Sequence, residues 1–537
     1  MNLANIVVEG IRKFGEYECC YFEGRWYTNV ELDDMCSRLG NALKSIGIGR
    51  GDRVVTQLPN CPEIGCAFYA AYKIGAVAVP MNPILRPDQI SHIYRDCGAG
   101  VTITTSDYLP WIREAQKNAP GLKHIILIDK DDEPGTLSLE KLLKSSSSEL
   151  KVEDMDGDDL AALIYTSGTT GNPKGVMHTH YSLWINAVSF ADFTAMCSST
   201  TLRSVHRDLN KRTYEIEEHV QVVTGHDRNV LFLAVLPLSH SYGLSFMNFG
   251  SLVGARYVVM KWWNPADALK FIQDMRVGYI ALVPTMYVHL LDQPDFDRYD
   301  LSSLQYCNSG AAVLDVNIAQ KWQEKTGVHI HEGWGLTESG ATTSGNPTTR
   351  PPKIGSIGVN MLKCNMMKVF DSEDRELPPE STGELVIRGP AVMKGYWNMP
   401  EETAETLKNG WLHTGDIGYM DKEGYFYITD RKKDIIIRGG ENVSPREVED
   451  VICKHPKVLE AGCVGLKDRV YGEQIKVFVV FRQGEQCTEA EIIEHCRQHL
   501  PSFKTPGKVQ FTNTLPRNIL GKILRADLRK MGVTADS

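Results

Sequence analysis

An alternation of short apolar runs with helical patterns, between residues 54 and 308, is the feature that most constrains the fold. Residues 77–79 (Val-Ala-Val) and 101–103 (Val-Thr-Ile) have the composition of buried strands. Residues 61–73 and 87–96, which lie between such runs, place apolar side chains at helical spacing. Strands separated by helices of this length pair in parallel through crossover connections. We therefore predict an α/β fold built on parallel sheet.

The first fifty residues fit the same layered pattern. Glu23-Gly24 separates two short aromatic runs and predicts a hairpin turn. Thr28 and Glu31 have the spacing of a capping box, and apolar residues follow them at helical spacing. The sequence thus predicts a hairpin followed by a helix that buries one face.

Composition excludes several classes of protein. With 42% hydrophobic and 23% charged residues, the chain matches an average globular protein and is neither disordered, collagenous nor a coiled coil. A net charge of −9 provides no general attraction for nucleic acid, so we expect no nucleic-acid partner. Thirteen cysteines without CxxC spacing indicate reduced thiols. The sequence contains no signal peptide and no apolar run of the ~20 residues that span a bilayer. We therefore predict a soluble cytoplasmic protein without a transmembrane segment. We expect it to be a monomer or a homodimer.

The texture of the sequence changes beyond residue 416. Short β-type runs at 425–429 and 434–437 precede helical patterns at 447–454 and 489–500. The charged cluster 430–434, Asp-Arg-Lys-Lys-Asp, is the candidate linker. We predict a large domain over residues 1–430 and a small one over residues 431–537.

Residues 165–175, Tyr-Thr-Ser-Gly-Thr-Thr-Gly-Asn-Pro-Lys-Gly, are the most informative segment. Three glycines let the backbone direct several N–H groups at one anion, four hydroxyls add donors, and Lys174 adds a positive charge. No Walker A pattern can be fitted, because Lys174 follows Pro173. A generic glycine-rich stretch could equally be a flexible surface loop. The combination of all eleven residues, 165–175, disfavours that alternative. The segment predicts a phosphate-binding loop.

This segment resembles the phosphate-binding signature of the AMP-forming adenylating enzymes, the superfamily of acyl-CoA synthetases, firefly-type luciferases and peptide-synthetase adenylation domains. Similar segments follow in that superfamily's order, at residues 236–243 (Leu-Pro-Leu-Ser-His-Ser-Tyr-Gly), 309–312 (Ser-Gly-Ala-Ala), 333–338 (Gly-Trp-Gly-Leu-Thr-Glu), 411–416 (Trp-Leu-His-Thr-Gly-Asp), 430–434 and 516–523 (Pro-Arg-Asn-Ile-Leu-Gly-Lys-Ile). The resemblance covers nearly the whole chain. It implies a large N-terminal domain of stacked α/β sheets with a β-barrel-like part, and a small mobile C-terminal α+β domain.

The reaction that the resemblance implies has two halves. A carboxylate attacks the α-phosphate of ATP to give an acyl-adenylate and pyrophosphate, and the thiol of coenzyme A then displaces AMP. Both reactants are anions, so catalysis consists of positioning and of stabilising negative charge. Lys522 would neutralise carboxylate and phosphate together, Thr337 would bind the α-phosphate, Glu338 would hold Mg²⁺, and His240 would gate the pocket or orient the carboxylate. For Lys522 the alternative is a solvated lysine in a basic tail, a role that suits Lys530, next to Arg529.

The resemblance also assigns binding residues. It implies ATP or AMP contacts for Thr166, Ser167, Gly168, Thr169, Thr170, Gly171, Lys174, Gly310, Ala311, Ala312, Glu332, Gly333, Trp334, Gly335, Thr337, Asp416, Arg431 and Lys522. Asp416 would accept hydrogen bonds from both ribose hydroxyls and Arg431 would support the same sugar. Lys433 matches the hinge, and Gly439, Gly440 and Glu441 would line the coenzyme A tunnel. For Asp416 the alternative is an aspartate of a turn. For Gly439 and Gly440 the alternative is a β-bulge or a tight turn.

Three departures from the superfamily's pattern stand out. Trp334 occupies the place of a common tyrosine beside adenine, which keeps stacking and loses the hydroxyl. Residues 518–520 are more apolar than usual. Residues 194–228 form a longer insertion, which we interpret as a solvated helical segment, or alternatively as a basic contact to a CoA phosphate.

Three functions follow from these observations: an acyl-CoA synthetase, an adenylation enzyme that loads a carrier protein or uses an amino acid as its substrate, and a non-catalytic nucleotide-binding protein. A luciferase-like oxidation is a remote fourth. Residues 236–250 contain no Asp or Glu to pair with a substrate ammonium. We therefore favour a synthetase for an uncharged apolar acid, aromatic, alicyclic or fatty. Trp262, Trp263, Phe246, Phe249, Tyr287 and Met286 are candidates for its pocket or for core.

Overall fold

The computed structural model describes residues 1–166, 173–193, 207–208, 213–214, 230–348, 351–361, 364–438, 441–517 and 523–534. Its backbone divides into two compact units. The large unit comprises residues 1–367 and 387–412, and the small unit comprises residues 368–386 and 413–537. The predicted boundary between residues 430 and 431, after which the small domain would rotate, stays a prediction.

In chain order the strands are β1 (Glu18–Phe22), β2 (Arg25–Thr28), β3 (Arg53–Gln57), β4 (Val77–Pro80), β5 (Val101–Thr104), β6 (His124–Leu127), β7 (Leu137–Ser138), β8 (Leu160–Thr166), β9 (Lys174–Thr179), β10 (Arg207–Asp208), β11 (Thr213–Tyr214), β12 (Leu231–Ala234), β13 (Arg256–Val259), β14 (Val277–Leu282), β15 (Tyr306–Ser309), β16 (Ile330–Trp334), β17 (Ser344–Gly345), β18 (Val359–Asn360), β19 (Met366–Phe370), β20 (Gly383–Arg388), β21 (Gly395–Tyr396), β22 (Leu407–Lys408), β23 (Trp411–Met420), β24 (Phe426–Arg431), β25 (Ile436–Arg438), β26 (Glu441–Val443), β27 (Val458–Asp468), β28 (Gly472–Phe481) and β29 (Lys508–Phe511).

The helices are α1 (Asn5–Phe14), α2 (Asn29–Ser45), α3 (Pro62–Lys73), α4 (Pro87–Cys97), α5 (Leu109–Gln116), α6 (Leu139–Ser145), α7 (His180–Phe193), α8 (Ser241–Val253), α9 (Pro265–Asp274), α10 (Pro284–Leu291), α11 (Val316–Thr326), α12 (Pro400–Thr406), α13 (Pro445–Cys453), α14 (Glu489–His499) and α15 (Arg525–Thr534). Short 3₁₀ turns lie at Phe296–Arg298, Thr337–Ser339 and Ser502–Lys504. Among the described residues, no helix is both long and apolar enough to cross a membrane.

Two large sheets organise the large unit. The first has the order β21-β9-β8-β4-β3-β5-β6-β7, with parallel pairing from β8 to β7 and antiparallel pairing at β9 and β21. The second has the order β18-β17-β16-β15-β14-β12-β13-β1-β2, parallel from β16 to β1. Helix α3 is buried along most of its length in a core that includes α2, Leu3 and Leu244 of α8. The prediction of an α/β fold with parallel sheet is confirmed.

The remaining strands form two five-stranded sheets and one two-stranded sheet within the described residues. Strands β19, β20, β23 and β22 are ordered in that sequence, with β24 paired to β23. The small unit contains β26-β25-β28-β27, with β29 parallel to β28. Its core lies between this sheet and helices α13 and α14.

Local predictions near the N-terminus are confirmed. Glu23 and Gly24 both have positive φ, as a two-residue hairpin turn requires. Thr28 and Glu31 form the capping box of α2. In the insertion at residues 194–228, only four residues are described, and they pair as β10 and β11. The helical interpretation was wrong for those four residues, and the rest of the insertion lies outside the described residues.

Candidate active site

A hairpin carries the predicted phosphate loop. Thr166, the last residue of β8, pairs with Lys174, the first residue of β9. Ser167, Gly168, Thr169, Thr170 and Gly171, which the sequence assigns to this loop, lie outside the described residues. The Lys174 ammonium is paired with Glu402 of α12 and lies 5.4 Å from the centre of the Tyr396 ring. The base of the loop is thus held by the chain segment that contains β21 and α12.

The predicted phosphate and metal residues share one 3₁₀ turn. Thr337 is 8% exposed, and its Oγ1 lies 3.1 Å from Oγ of Ser241, the first residue of α8. The Glu338 carboxylate accepts a hydrogen bond of 2.9 Å from the Tyr396 hydroxyl through Oε1. The backbone N–H of Met393 donates to the Glu338 carbonyl at 2.8 Å. Both side chains are therefore fixed by partners from other elements.

Two alanines have backbone in the left-handed region, one after β15 and one after this turn. Ala311 has φ of 65° and Ala341 has φ of 91°. A Cβ on Gly335 would lie 1.9 Å from the Ala341 carbonyl oxygen, so only glycine fits there. Residues held in sparsely populated conformations concentrate at functional sites.

The predicted adenine-site residues cluster at the carboxyl ends of two parallel strands. Gly310, Ala311 and Ala312 follow β15, and residues 332–335 form the end of β16 and its exit. Ligands of open α/β sheets bind in the crevice at such ends. Trp334 is half-buried. Glu332 is buried, and its Oε1 accepts the Leu314 N–H at 3.0 Å.

His240 lies directly before α8 and caps it. Its Nδ1 accepts the Tyr242 N–H at 3.2 Å, and burial lowers the pKa of the imidazole to about 4. At neutral pH the side chain is therefore uncharged. The neighbouring backbone is held by Asn60, whose amide donates to Leu236 O at 3.1 Å and accepts from Leu238 N at 2.9 Å.

An apolar cavity opens beside this segment and contains about 1000 Å³ of empty space, its mouth included. Its walls come from α1, α2, α3, α8 and neighbouring strands, and they include Val7, Gly10, Ile11, Tyr17, Cys19, Cys20, Asn29, Leu32, Asp33, Cys36, Cys61, Pro62, Gly65, Cys66, Tyr69, Ala234, Leu236, Leu238, Gly243, Phe246, Met247, Ser251, Ala255, Tyr257 and Val259. Of the six aromatic and methionine residues considered from the sequence, Phe246 lines this cavity. Phe249 and Tyr287 are core, and Trp262 is 47% exposed.

The predicted ribose residues pair within the small unit. Asp416 of β23 lies opposite Arg431 of β24, and the distance from Arg431 Nε to Asp416 Oδ1 is 2.6 Å. Asp416 is 2% exposed, and its Oδ2 accepts a hydrogen bond from Arg431 Nη2 at 3.4 Å. The guanidinium fixes the carboxylate, a group of the type that accepts hydrogen bonds from hydroxyls.

Lys433, the predicted hinge residue, lies close to this pair. Burial, followed by repulsion from Arg431, lowers the pKa of the Lys433 ammonium. The adjacent Lys432 pairs with Glu384 at 3.2 Å. Glu441 begins β26 and is exposed. Gly439, Gly440 and Lys522 lie outside the described residues, so their predicted roles stay predictions.

Glu338 fits the predicted Mg²⁺ site. One carboxylate oxygen is bound by Tyr396, and the other has no hydrogen-bond partner within the part of the chain that is described. That part also lacks any group of three or more His, Cys, Asp or Glu residues able to hold a metal ion. Magnesium is commonly held by one or two carboxylates together with substrate phosphates. Glu338 is thus suited to share the ion with a nucleotide.

Three positioning residues of the site escaped sequence analysis: Tyr396, Glu402 and Asn60. Tyr396 is 58 positions from Glu338, and Glu402 is 228 positions from Lys174. Asn60 is 176 positions from Leu236. No local pattern reports contacts at such separations, because folding alone brings these residues together.

Comparisons with known proteins agree with this site. Residues 8–397 match the model of the AMP-binding enzyme family, and residues 447–522 match the AMP-binding enzyme C-terminal domain. The long-chain-fatty-acid–CoA ligase of Bacillus subtilis (strain 168) is 34% identical over 554 residues, which cover 98% of this chain and 94% of the relative.

Two solved structures are similar over nearly their whole length. The anthranilate CoA ligase AuaEII in complex with anthranoyl-AMP has a TM-score of 0.88 at 27% identity, covering 100% of this chain and 98% of that one. ATP-bound MatB from Rhodopseudomonas palustris has a TM-score of 0.86 at 27% identity, with 99% of each chain covered.

Proposed function

The chain belongs to the AMP-binding enzyme family, in its AMP-forming acyl-CoA synthetase branch, and we propose that its acid substrate is a fatty acid whose alkyl chain occupies the apolar cavity of the large unit. The family's reaction uses ATP with Mg²⁺ and coenzyme A to convert a carboxylic acid into its CoA thioester. Of the apolar acids that the sequence favours, the cavity best suits an aliphatic one. Cytoplasmic location and the state of monomer or homodimer stay predictions.

The course of the cavity supports an extended chain. Gly243, three residues after His240, lies near the start of α8, and Ser251 lies near its end. Eight residues of helix span about 12 Å. Gly10 of α1 lines the end beside Ser251, because a Cβ on Gly10 would lie 3.5 Å from the Ser251 carbonyl oxygen. The cavity therefore extends along α8, away from the segment that carries His240.

The chemistry of the lining also favours an alkyl chain. Asp33 is a carboxylate of the wall, and its charge is neutralised by Lys73, whose Nζ lies 2.6 Å away. Lys73 also donates to Ser37 Oγ at 2.7 Å. The rest of the wall is mainly aliphatic, aromatic and thiol groups, and each buried methylene contributes about 0.8 kcal/mol. Binding should strengthen as the acid lengthens until the cavity is filled.

The proposed function gives each of the predicted site residues a catalytic or binding role. Thr337 would donate to the α-phosphate and Glu338 would hold Mg²⁺, which neutralises phosphate charge when bound. Uncharged His240 would contact the acid near the mouth of the cavity. Asp416 and Arg431 would bind the ribose, and Lys522 would bring carboxylate and phosphate together.

Acid-dependent pyrophosphate release over a series of saturated acids, from about 4 to about 18 carbons, tests the substrate. We expect kcat/KM to rise with chain length. Gly10→Leu should close the end of the cavity beside Ser251. The ratio of kcat/KM for long acids to that for short acids should then fall about tenfold, because leaving two methylenes unburied costs roughly 1.6 kcal/mol. Glu9→Leu, an exposed neighbour on α1, is the matched control and should leave the preference unchanged.

A preference for aromatic acids, or an unchanged chain-length profile in Gly10→Leu, would contradict the fatty-acid assignment. Thioester formation with free coenzyme A separates the synthetase from an enzyme that loads a carrier protein.

A further inference from the structure

His178 connects the strand that leaves the phosphate loop to the turn that carries Thr337 and Glu338. It lies on β9, four residues after Lys174, and is fully buried. Its Nε2 lies 2.7 Å from the Thr337 carbonyl oxygen, and its Nδ1 lies 3.2 Å from Ser182 Oγ. The ring thus lies between α7 and the 3₁₀ turn.

The partners determine which nitrogen carries the proton. A carbonyl oxygen only accepts, so Nε2–H donates to Thr337. Nδ1 then carries no proton, and it faces the Ser182 hydroxyl, whose single O–H lies within hydrogen-bond distance of both Nδ1 and the Thr179 carbonyl oxygen 3.1 Å away. The same Ser182 oxygen accepts the Thr179 N–H at 3.0 Å, which fixes the hydroxyl's position. Burial lowers the pKa of His178 to about 4, so this neutral tautomer is the form present at neutral pH.

The hydrogen bond from His178 Nε2 holds the backbone of the turn that carries Thr337 and Glu338. Thr337 Oγ1 contacts Ser241, and Glu338 is held through its carboxylate and its carbonyl oxygen by Tyr396 and Met393. His178 adds a hydrogen bond to the Thr337 carbonyl oxygen, from the strand that begins with Lys174. Residues four apart on a strand point to the same face, about 13 Å from each other.

We propose that His178 is a positioning residue for the adenylation step, and that its Nε2–H sets the position of the Thr337–Glu338 turn relative to Lys174. This inference rests on the proposed function, because it takes Thr337 as the phosphate contact and Glu338 as the Mg²⁺ ligand. The donor acts through Thr337 and does not touch the substrate. Loss of an outer hydrogen bond of this kind typically costs about 10–100-fold in metal affinity or activity.

Three substitutions separate the donor from the bulk of the ring. His178→Leu removes the donor. His178→Gln keeps an amide N–H near the position of Nε2, and His178→Asn places its amide near the position of Nδ1, too short to reach Thr337. The readouts are the Mg²⁺ concentration for half-maximal acid-dependent ATP–pyrophosphate exchange, the exchange kcat and the KM of the acid.

We expect His178→Leu and His178→Asn to raise the Mg²⁺ requirement or lower kcat by about 10–100-fold, with the acid KM unchanged. His178→Gln should stay within about threefold of the wild type. Thermal unfolding midpoints show whether each variant is folded. If His178→Leu does not fold, the comparison of Gln with Asn still decides.

Equal losses in the Gln and Asn variants, or a folded Leu variant with wild-type kinetics, would overturn the proposal. Glu338→Gln distinguishes this failure from a failure of the proposed function. If Glu338→Gln leaves the Mg²⁺ dependence unchanged, the metal role itself is wrong. If it abolishes exchange while the His178 variants do not differ from one another, only the positioning role is wrong.

Discussion

Two buried histidines of the large unit make its stability depend on pH. Burial lowers the pKa of both His178 and His180 from 6.5 to about 4. His180 Nδ1 accepts the Leu3 N–H at 3.1 Å, so protonation would cost that bond as well as the burial of a charge. The unfolded chain therefore binds more protons than the folded chain below pH 6.5, and stability falls as the pH decreases from about 6.5 towards 4.

Each of these histidines should remove roughly 1.4 kcal/mol of stability between about pH 7.5 and 5.5. Thermal unfolding across that range should show the midpoint falling with pH, and less steeply in His178→Gln, which does not titrate. If the midpoint of thermal unfolding stays constant down to pH 5, the imidazoles of His178 and His180 are not both buried in their neutral form.

At the scale of single residues, the sequence pointed to candidate substrate-binding groups but not to the residues that hold those groups in place. Thr337, Glu338, Asp416 and Arg431 lie within short stretches that resemble segments of the adenylating enzymes, and this resemblance implies their phosphate, metal and ribose roles. The resemblance implied that Asp416 and Arg431 lie near each other, and in the structure Arg431 Nε is 2.6 Å from Asp416 Oδ1. Tyr396 could not be predicted, because a tyrosine acquires its role from a carboxylate that folding brings within 2.9 Å.

Among the elements, helix α15 is anchored by ion pairs that the sequence did not indicate. Arg525, its first residue, binds both Glu449 oxygens of α13 at 2.8 and 2.7 Å. Arg529 pairs with Asp434 at 3.1 Å. Arg529 is thus part of an ion-paired helix, whereas Lys530, the residue that the sequence assigns to a basic tail, is exposed as expected. Charge alone cannot distinguish a tail from a helix whose carboxylate partners lie 76 and 95 positions away.

Arg525→Met should destabilise the small unit by about 3–5 kcal/mol, because it leaves the Glu449 carboxylate buried at 12% exposure without its partner. Chemical denaturation followed by a probe in the small unit measures the loss. Lys530→Met on the same helix, where the side chain is 79% exposed, is the control and should change the free energy of unfolding little. A loss below 1 kcal/mol for Arg525→Met would show that the pair adds nothing.

For the whole molecule, the alternation of strands and helices sufficed to predict parallel sheet, since periodicity is a local property. It could not give the order of strands. The order β4-β3-β5 and the pairing of β1 with β13, more than 230 residues later, depend on packing between distant segments. The cavity depends on the same packing, because its walls combine α1, α3 and α8.

The division into two units leads to a prediction about the two half-reactions. Lys522 belongs to the small unit by sequence, whereas Thr337 and Glu338 belong to the large unit. If Lys522 acts only while carboxylate meets α-phosphate, Lys522→Ala should slow acid-dependent ATP–pyrophosphate exchange by about 10²–10³. Transfer of the acyl group from a supplied acyl-adenylate to coenzyme A should then be nearly unchanged, since no second anion has to be brought to the phosphate. Lys530→Ala, a nearby exposed lysine, should affect neither rate. Equal slowing of both half-reactions in Lys522→Ala would mean that this lysine stabilises the small unit or the adenylate itself rather than the encounter of two anions.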